Sequence, residues 1–519
     1  MTKNKLFLSG NEAIAKAALD FGCKVGIGYP GTPSTEILEN MSLHSSIKSF
    51  WAPNEKVALE YAIGACYTGC RAIVTMKHVG LNVAADPFMN VSYTGVKGGL
   101  IIVSCDDPGI HSSQNEQDNR NYAKFAKIPM LEPSSPDEAY RFIKSAFEIS
   151  EKFDTPVLYR MTIRISHSNG IVNLLKPVKQ NRIFSFQREK KYVLLPGVAR
   201  ERHKIVEKRL EHLQDYSDNS ELNQLEDGKG EVLLISSGVT YQYAKEEFPE
   251  YPILKIGMSY PLPIEKIKRI AKNYKEIICL EELDPFIEEN LLNNGINNVR
   301  KRNKKFYIGE MNPSRIKSLV MYNDEEKILN KTEAKEVPPS LCKGCPHSYV
   351  FEVIKGLHLI VAGDIGCYTL GALSPYNAIH TTLEMGASIP MGFGIRSCLE
   401  EKERKRVISV IGDSTFIHSG IPGLIDAIYN KREGIIVILD NDSTAMTGGQ
   451  DHPGTGRTLQ NGETFKLDIK RLCEICGAHK VYVIDPYKIK EAKRVFKEAL
   501  NENGVRVVIA RKECLLKKK

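Results

Sequence analysis

Short apolar stretches alternate with amphipathic stretches along most of the chain, which is the pattern of buried strands and surface helices in an α/β fold. In the first part, the predicted strands are Val25–Gly28, Ala72–Met76, Leu100–Ser104 and Thr155–Met161. The predicted helices are Asn11–Phe21, one from Pro53-Asn54-Glu55 to Tyr67, and one that Ser135-Pro136-Asp137-Glu138 opens as a capping box with proline at the first position. The apolar positions of that last helix predict its buried stripe: Ala139, Phe142, Ile143, Ala146 and Ile149. This alternation predicts a doubly wound α/β domain over residues 1–190.

The pattern changes in the middle of the chain. Residues 191–230 predict a charged helical arm and an acidic, turn-rich linker, and the arm has a narrow apolar stripe of Ile205, Val206, Leu210 and Leu213. Residues 231–330 return to strands and helices and predict a smaller α/β domain, with strands Glu231–Ser236, Ile253–Ile256 and Ile277–Leu280 and helix Pro263–Lys272. The stretch Asn330–Ser340 is typical of a connector. Residues 331–519 predict a third α/β domain, with strands near 357–363, 407–411, 434–439, 480–484 and 505–510.

The most informative stretch lies in the third domain, where two apolar strands each end in polar residues. The first ends at Gly412-Asp413-Ser414, a helix is predicted over Ile417–Asn430, and the second strand ends at Asp440-Asn441-Asp442. Parallel strands joined by a helix bring both polar ends to the same edge of the sheet. Asp413, Asn441 and the carbonyl of Ser443 therefore offer hard oxygen ligands of the kind that Mg²⁺ takes. An ordinary strand–helix–strand unit with polar loops is the alternative.

The spacing within this stretch resembles the thiamine diphosphate (ThDP) motif, in which Gly-Asp-Gly is followed by a distant Asn. Here Asn441 follows Asp413 by 28 residues, and a Gly-Gly-Gln turn comes next. The resemblance implies that Gly412, Asp413, Ser414, Asn441 and Ser443 bind the diphosphate and its Mg²⁺. Ser414 stands where most of that superfamily has glycine. Gly386 lies in a glycine-rich turn into a helix that could approach the cofactor closely.

Glu55 stands at the start of a predicted helix in the first domain. A carboxyl is stabilised electrostatically at a helix N-terminus, which is a sufficient structural reason for it. In ThDP enzymes a glutamate also bonds to N1′ of the aminopyrimidine and promotes loss of the thiazolium C2 proton, and we assign that catalytic role to Glu55. Glu60 is the other candidate, although its position is typical of a solvated helix face.

A rigid turn at Tyr29–Glu36 follows the first strand. Tyr29, Thr32 and Ser34 are candidates for contacting an anionic group such as a 2-oxoacid carboxylate, and a helix capped at Ser34 is the alternative. His78 could reach the cofactor or be structural, and His418 follows the magnesium motif. The loop with His111, Gln114, Gln117 and Asp118 is a candidate lid on the substrate side.

Cysteine spacing suggests a second metal centre. Cys342 and Cys345 form a C-x₂-C pair, and Cys367 and Cys514 follow. Four thiolates suit either zinc or an iron–sulfur cluster, and softness does not separate the two. A role in redox chemistry with ThDP favours the cluster. His347 is interpreted as a loop residue or an outer hydrogen-bonding group. Cys473 and Cys476 share the spacing in a predicted helix and are interpreted as packing residues, and six more cysteines as core: Cys23, Cys66, Cys70, Cys105, Cys279 and Cys398.

Composition adds limits to these assignments. The 519 residues are 42% hydrophobic and 26% charged, as in soluble globular proteins of several domains. The net charge of +8 is small for this length and does not favour nucleic acid as a partner. No apolar run is long enough to cross a membrane and no signal peptide is evident, so we expect a cytoplasmic protein. Twelve cysteines in such a chain are unsuited to a disulfide framework.

Several motifs together resemble the large (alpha) subunit of indolepyruvate:ferredoxin oxidoreductase, and they follow its order over essentially the whole chain. They are YPGTPSTE, PNEKVALEYAIGACYTG, LCKGCPH, GDIGCYTLG, TTLEMGASIPMGFG and GDSTFIHSGIPGL with DNDSTAMTGGQ. The resemblance implies two doubly wound ThDP-type domains with a smaller α/β domain between them. It implies oxidative decarboxylation of arylpyruvates (indolepyruvate, phenylpyruvate or 4-hydroxyphenylpyruvate) with coenzyme A, with electrons passed to ferredoxin. It also implies that Cys342, Cys345, Cys367 and Cys514 hold a [4Fe–4S] cluster.

The resemblance also carries expectations about partners. The family's alpha subunit usually continues into a ferredoxin-like tail, whereas this chain stops five residues after Cys514. We therefore expect the outer electron relay to be a separate polypeptide, either ferredoxin or a ferredoxin-like subunit, or else to be lost or unnecessary. ThDP clefts form between domains of different protomers, which predicts a homodimer, and the resemblance implies a smaller beta subunit. Two other functions are the alternatives. A non-oxidative ThDP decarboxylase or carboligase would share the ThDP residues but need no thiolate cluster, and a zinc-stabilised scaffold subunit without catalysis would hold zinc and no ThDP.

Overall fold

Four of the strands predicted from residues 1–190 lie in one seven-stranded sheet. In spatial order its strands are Met258–Tyr260, Met130–Leu131, Val157–Thr162, Leu100–Asp106, Ala72–Lys77, Val25–Gly28 and Lys48–Trp51. All neighbours are parallel except the first pair. The central strands are buried along their whole length, as expected for a parallel sheet with helices on both faces. This is a computed structural model that describes residues 4–178, 184–321, 339–460 and 462–517.

The chain divides into two compact units, Met1–Thr332 and Glu333–Lys519. The first unit holds the seven-stranded sheet, an antiparallel ribbon of Lys5–Ser9 with Asn169–Asn173, and a five-stranded sheet. The order of the five-stranded sheet is Val299–Arg300, Glu276–Leu280, Val232–Ser237, Ile253–Ile256 and Asn223–Glu226. The described α-helices of this unit are Gly10–Asp20, Thr35–Ser42, Glu55–Tyr67, His78–Val83, Ala85–Thr94, Arg120–Ala126, Pro136–Phe153, Ile163–His167, Pro196–Asn219, Val239–Glu247, Ile264–Ala271, Phe286–Asn293 and Pro313–Met321.

The second unit is built on one parallel five-stranded sheet. Its order is Ile360–Ala362, Val407–Gly412, Gly434–Asp440, Val505–Arg511 and Lys480–Ile484. The described helices are Pro346–Gly356, Ser388–Cys398, Glu401–Arg404, a continuous stretch over residues 413–429, Ile469–Ile475 and Ile489–Asn501. An apolar core covers each face of the sheet, so the polar side chains concentrate where its strands end. The α/β fold class is confirmed.

Most predicted elements are confirmed to within a few residues, and the stripe of the helix opened by Ser135 is buried as predicted. Its cap differs in one bond: Ser135 accepts from the Glu138 N–H, but the Glu138 carboxylate bonds to Ser134 instead of closing the box. Lys255 also bonds to that carboxylate. The bonds to Ser134 and Lys255 therefore keep the Glu138 carboxylate away from the position that a capping box requires.

The middle of the chain differs from the prediction. The charged helix extends to Asn219, and Asn223–Glu226 is a strand of the five-stranded sheet, so the second half of the predicted linker belongs to a folded layer. Ile205 is exposed, whereas Val206 and Leu213 are buried. Cys398, expected in the core, is exposed at the end of its helix. The predicted connector lies, for residues 330–338, outside the described residues, and the division into four domains stays a prediction.

Candidate active site

The two polar strand ends of the second unit lie beside each other, as the strand–helix–strand pattern predicts. The strand ending at Gly412 pairs with the strand ending at Asp440. The carboxylate of Asp413 accepts the Ser414 N–H over 2.9 Å and the Asp442 N–H over 2.8 Å. These bonds hold the Asp413 carboxylate against the loop that carries Asn441. The arrangement follows from two buried strands whose hydrogen bonds end at the same edge.

The side-chain oxygen of Asn441 is a candidate ligand for a cation. Its side chain is buried, and its Oδ1 has no hydrogen-bond partner among the described residues. The Oγ of Ser443, two residues on, is buried and likewise without such a partner. A buried acceptor without a donor costs free energy unless something else satisfies it. A hard oxygen-binding cation fits this set of a carboxylate, an amide and a neighbouring carbonyl.

Two histidines flank these oxygens. His347 lies in the first turn of helix Pro346–Gly356, and its Nε2 accepts from Asn441 Nδ2 over 3.4 Å. Burial lowers the pKa of His347 to about 4, so the ring is neutral at neutral pH. His452 Nε2 lies 3.2 Å from Asp413 Oδ2. The interpretation of His347 as a loop residue was wrong, because the ring stands on a helix and orients the amide of Asn441.

The helix after Gly412 begins at once, at Asp413, and not at Ile417. It contains a π-helical segment over Phe416–Gly420, a distortion that is frequent at functional sites. His418 lies in this segment, is buried, and has its Nδ1 2.6 Å from Ser419 Oγ. Gly386 packs against Ser419, has φ of 98°, and a Cβ there would lie 2.6 Å from the Ser419 Cβ. The close approach explains why this position requires glycine.

Asp364 supports the turn that contains Gly386. Its carboxylate accepts the N–H groups of Ile365, Gly386 and Ser388, each over 2.9 Å. The side chain is completely buried, and burial raises its pKa although the three N–H groups lower it. The motif GDIGC contains this residue, but the sequence does not indicate the bonds.

The four cysteines assigned to a cluster line one cavity of about 70 Å³. The walls also include His347, Asn441, Leu370, Ala445, Leu515 and Leu516. Burial raises the pKa of Cys367 to about 11, and each of the other three thiols raises it further through its charge. Among the residues that the structure describes, no three His, Cys, Asp or Glu side chains are arranged to hold a single metal ion.

The segment after the last strand is bonded to the loop that carries Asn441. Cys514 N–H donates to the Asn441 carbonyl over 2.9 Å, and Lys512 N–H donates to the Asp440 carbonyl over 2.9 Å. Lys517 forms an ion pair with Asp442. The sulfur cavity and the loop of Asn441 therefore share backbone hydrogen bonds as well as side chains.

In the first unit, Glu55 begins its helix as predicted and is buried. Asn54 caps the helix by accepting the Val57 N–H over 2.9 Å. The Glu55 carboxyl packs on Gly80, where a Cβ would lie 2.5 Å from Glu55 Oε1. Glu60, by contrast, is exposed and paired with Lys56, which confirms its interpretation as a solvated face.

The turn after the first strand uses its own hydroxyls internally. Ser34 is fully buried and donates to the Gly31 carbonyl over 2.8 Å, and Thr35 Oγ1 accepts the Gly31 N–H over 3.0 Å. The helix Thr35–Ser42 starts directly after Ser34, as the alternative expects, but Ser34 makes no side-chain cap because its hydroxyl is already occupied. Tyr29 is buried, whereas Thr32 is partly exposed at the turn.

His78 follows the strand Ala72–Lys77 and is fully buried. Its Nε2 lies 3.2 Å from Asn115 Oδ1, and its Nδ1 has no partner among the described residues. Gln117, from the same loop as Asn115, donates to the His78 carbonyl over 3.2 Å. This loop therefore covers the start of the short helix His78–Val83, while His111 bonds to Glu310 and Asp118 bonds to Arg120, and its role as a lid stays a prediction.

Comparisons with known proteins agree with these features. Residues 16–224 match the family "pyruvate flavodoxin/ferredoxin oxidoreductase, thiamine diP-bdg", and residues 364–510 match "thiamine pyrophosphate enzyme, C-terminal TPP binding domain". The chain is 41% identical to the indolepyruvate oxidoreductase subunit IorA of Archaeoglobus fulgidus, over 99% of this chain and 87% of that one. It is 39% identical to the subunit IorA of Pyrococcus abyssi, over 99% of this chain and 86% of that one.

A solved structure is similar in fold. The 2-oxoglutarate:ferredoxin oxidoreductase from Magnetococcus marinus, with 2-oxoglutarate, coenzyme A and succinyl-CoA bound, has a TM-score of 0.50 and 14% identity. The similarity covers 62% of this chain and 65% of that one.

None of the described helices is both long and apolar enough to span a membrane. The chain belongs to the family of indolepyruvate oxidoreductase IorA subunits, and it is a ThDP-binding 2-oxoacid oxidoreductase.

Proposed function

We propose that this chain catalyses the oxidative decarboxylation of arylpyruvates with coenzyme A, giving an aryl-acyl-CoA and CO₂, and passes the electrons through a [4Fe–4S] cluster to ferredoxin. One observation carries the redox part: Cys342, Cys345, Cys367 and Cys514 line the same cavity as Asn441 and His347. An electron acceptor at that place would lie directly beside the cofactor loop. The names of the relatives support indolepyruvate and similar aryl substrates.

Asp413, Asn441 and the Ser443 carbonyl would hold Mg²⁺, which in turn holds the diphosphate. The buried Asn441 Oδ1 is the observation that supports this, since a cation supplies the partner that it lacks among the described residues. Gly412 is the N-cap of the helix that begins at Asp413, and Ser414 lies in its first turn, so both would contact the diphosphate. Gly386 lets its turn approach Ser419 closely. ThDP, when bound, supplies the electron sink for decarboxylation.

Glu55 holds and moves the proton that starts the reaction. A buried carboxyl held against Gly80 can make one hydrogen bond in a fixed direction, which is what the aminopyrimidine nitrogen requires. Tyr29, Thr32, His78 and His418 are the proposed substrate contacts. Ser34 contributes by holding the turn in place, because its hydroxyl donates to Gly31.

The four cysteines would hold a [4Fe–4S] cluster, which would supply a one-electron acceptor. Thiolates from Cys342, Cys345, Cys367 and Cys514 would each bind one iron of the cluster. Ferredoxin, or a separate ferredoxin-like subunit, would accept the electrons, and a smaller beta subunit and a second copy of the chain would complete the enzyme. The IorA names imply such a partner subunit.

The activity assay tests this proposal directly. The anaerobically purified enzyme, with its partner subunits, is given methyl viologen and a series of 2-oxoacids, with and without coenzyme A. We expect viologen reduction with indolepyruvate and phenylpyruvate that depends on coenzyme A, and much less with 2-oxoglutarate. Release of CO₂ without viologen reduction would instead indicate a non-oxidative decarboxylase, and no turnover with bound zinc would indicate a scaffold.

A further inference from the structure

We propose that Lys77 is the cationic anchor for the substrate carboxylate, acting with the partly exposed Thr32 and the buried His78. This inference rests on the proposed function, because it identifies the group that holds the acid end of the 2-oxo acid. Lys77 is the last residue of its strand, at the edge of the sheet where the loops of the first unit converge.

The surroundings of Lys77 place it at the substrate end of this edge. Its strand pairs with the strand ending at Gly28, which leads into the turn of Thr32. A Cβ on Gly31 would lie 3.0 Å from the Lys77 Cβ, so the lysine side chain packs along that turn. Lys77 is followed by His78 and the short helix that contains Gly80, against which the Glu55 carboxyl rests. Only two residues therefore separate Lys77 from Gly80, the contact of the proposed proton-transfer group.

The Lys77 ammonium is bonded to the loop that contains Ser112. The ammonium donates to the Ser112 carbonyl over 2.5 Å and, among the described residues, forms no ion pair with a carboxylate. Asp107 is the acidic group that acts on it, but its carboxylate is used by the N–H groups of His111 and Ser112 and by the Ser113 hydroxyl. Burial without a direct counter-ion lowers the pKa of Lys77 to about 8. A ligand carboxylate would supply the missing charge.

The chemistry favours a monocarboxylate over a larger anion. One ammonium and one hydroxyl match the two oxygens of a single carboxylate, whereas a phosphate or diphosphate usually takes several cations or a run of N–H groups. The neighbouring His78 Nδ1, buried and without a partner among the described residues, adds one more polar atom. The aryl part of the substrate needs no charge, so this lysine would recognise what all the 2-oxo acids share.

Binding of a non-reacting substrate analogue tests this assignment. Phenyllactate has the carboxylate but no oxo group, and phenyllactamide is its neutral match. Calorimetric titrations of the ThDP-loaded enzyme, with partner subunits and without coenzyme A, give both dissociation constants. In Lys77→Met we expect the constant for phenyllactate to rise about tenfold or more, while that for phenyllactamide changes little.

Matched variants separate the role of Lys77 from general damage. Lys97 also donates to a backbone carbonyl, that of Ser185 over 2.9 Å, but it precedes its strand and so lies at the opposite edge of the sheet. Lys97→Met should therefore bind phenyllactate like the wild type. Lys77→Gln keeps a donor for Ser112 and replaces Lys77→Met if the latter does not fold. ThDP content should be unchanged in each variant.

Two results would overturn the assignment in distinguishable ways. If the Lys77 variants bind phenyllactate as tightly as the wild type while arylpyruvates still turn over, Lys77 is not the anchor and the proposed function stands. If the wild type retains ThDP but neither binds phenyllactate nor turns over arylpyruvates, the proposed substrate class fails and this assignment fails with it.

Discussion

At the scale of single residues, Glu55 is the most direct test of the catalytic assignment. Replacement with glutamine keeps the size of the side chain but removes the acidic proton, so Glu55→Gln should retain ThDP and lose about 10²- to 10⁴-fold in turnover. Coenzyme A-dependent viologen reduction measures the loss. Glu60→Gln, on the exposed face of the same helix, is the control and should keep normal activity. Normal turnover in Glu55→Gln would remove the assignment.

The titration of Lys77 predicts a pH dependence of substrate binding. The ammonium attracts the carboxylate, and burial lowers its pKa from an ordinary value of 10.5 to about 8, with Asp107 opposing the shift. The KM for arylpyruvate should therefore be constant below pH 8 and rise above it, up to tenfold per pH unit. Lys77→Arg keeps its charge over this range, so its KM should stay flat to about pH 9.5. A wild-type KM that does not change between pH 7 and 9.5 would contradict the assignment.

The contact between His347 and Asn441 predicts that His347 contributes to the affinity for ThDP. Its neutral ring accepts from Asn441 Nδ2 and so turns Asn441 Oδ1 toward the proposed magnesium. Residues that orient a metal ligand typically contribute about 10- to 100-fold in affinity, so His347→Leu should weaken Mg²⁺-dependent ThDP binding by that factor. His347→Gln retains an acceptor and should recover part of it. Equal ThDP affinity in the wild type and His347→Leu, measured by fluorescence quenching, would contradict the role.

Site residues could be predicted from the sequence only where a motif contains them. Asp413 and Asn441 follow from strand ends and spacing, because parallel strands must end at one edge. The contacts of His347, His452 and Asp364 were not predictable, because they depend on which way a side chain turns and on residues distant in the chain. Ser34 shows the converse: its hydroxyl was predicted to face the site but bonds within its own turn.

At the scale of elements, the contact between two helices sets the position of Glu55. A Cβ on Gly80 would lie 2.5 Å from Glu55 Oε1, so Gly80→Ala should displace the carboxyl and reduce kcat about 10²-fold with little loss of stability. Gly64 lies in the same helix as Glu55 and has open space around it. Gly64→Ala should keep full activity and raise the free energy of unfolding by about 0.5–1 kcal/mol. Thermal unfolding and turnover of both variants give the comparison, and an unaffected Gly80→Ala would contradict it.

Elements with strong hydrophobic periodicity were predictable, and weakly patterned ones were not. The buried strands and the helix Pro136–Phe153 match their predictions because a single apolar pattern determines them. Asn223–Glu226 is polar in sequence, and it forms a strand only because it adds to the exposed edge of Ile253–Ile256. Met130–Leu131 and Met258–Tyr260 are too short to give a periodic signal.

At the scale of the molecule, a buried charge network connects distant parts of the first unit. Arg120 is fully buried and pairs with Asp118 of its own loop and with Glu281 at the end of a strand of the five-stranded sheet. Removing the guanidinium leaves the buried carboxylates of Asp118 and Glu281 without this positive charge. Arg120→Met should therefore lower the free energy of unfolding by about 3–5 kcal/mol. Urea unfolding measures the loss, and Arg141→Met, at an exposed pair with Asp137, should cost less than about 1 kcal/mol. Similar values for both variants would contradict the role of the network.

The sequence allowed the α/β class of the fold to be predicted, but not which strands join which sheet. The alternation of strands and helices indicates α/β units, and the chain divides into two compact units, Met1–Thr332 and Glu333–Lys519, whereas the four domains stay a prediction. Strand Met258–Tyr260 follows a strand of the five-stranded sheet in sequence, but it extends the seven-stranded sheet. No sequence pattern indicates this exchange, because it depends on tertiary contacts. The buried pairing of Arg120 with Glu281 spans 161 positions and has no local pattern either.

The metal and cofactor content of the anaerobically purified enzyme tests the central claim most directly. Iron, acid-labile sulfide, zinc and ThDP are measured for the wild type, for Cys367→Ser, and for Cys398→Ser, whose exposed thiol lies outside the sulfur cavity. We expect Cys367→Ser to lose about four irons per chain and arylpyruvate-dependent viologen reduction while it keeps ThDP, and Cys398→Ser to match the wild type. Zinc in place of iron, or iron content that Cys367→Ser leaves unchanged, would contradict the account.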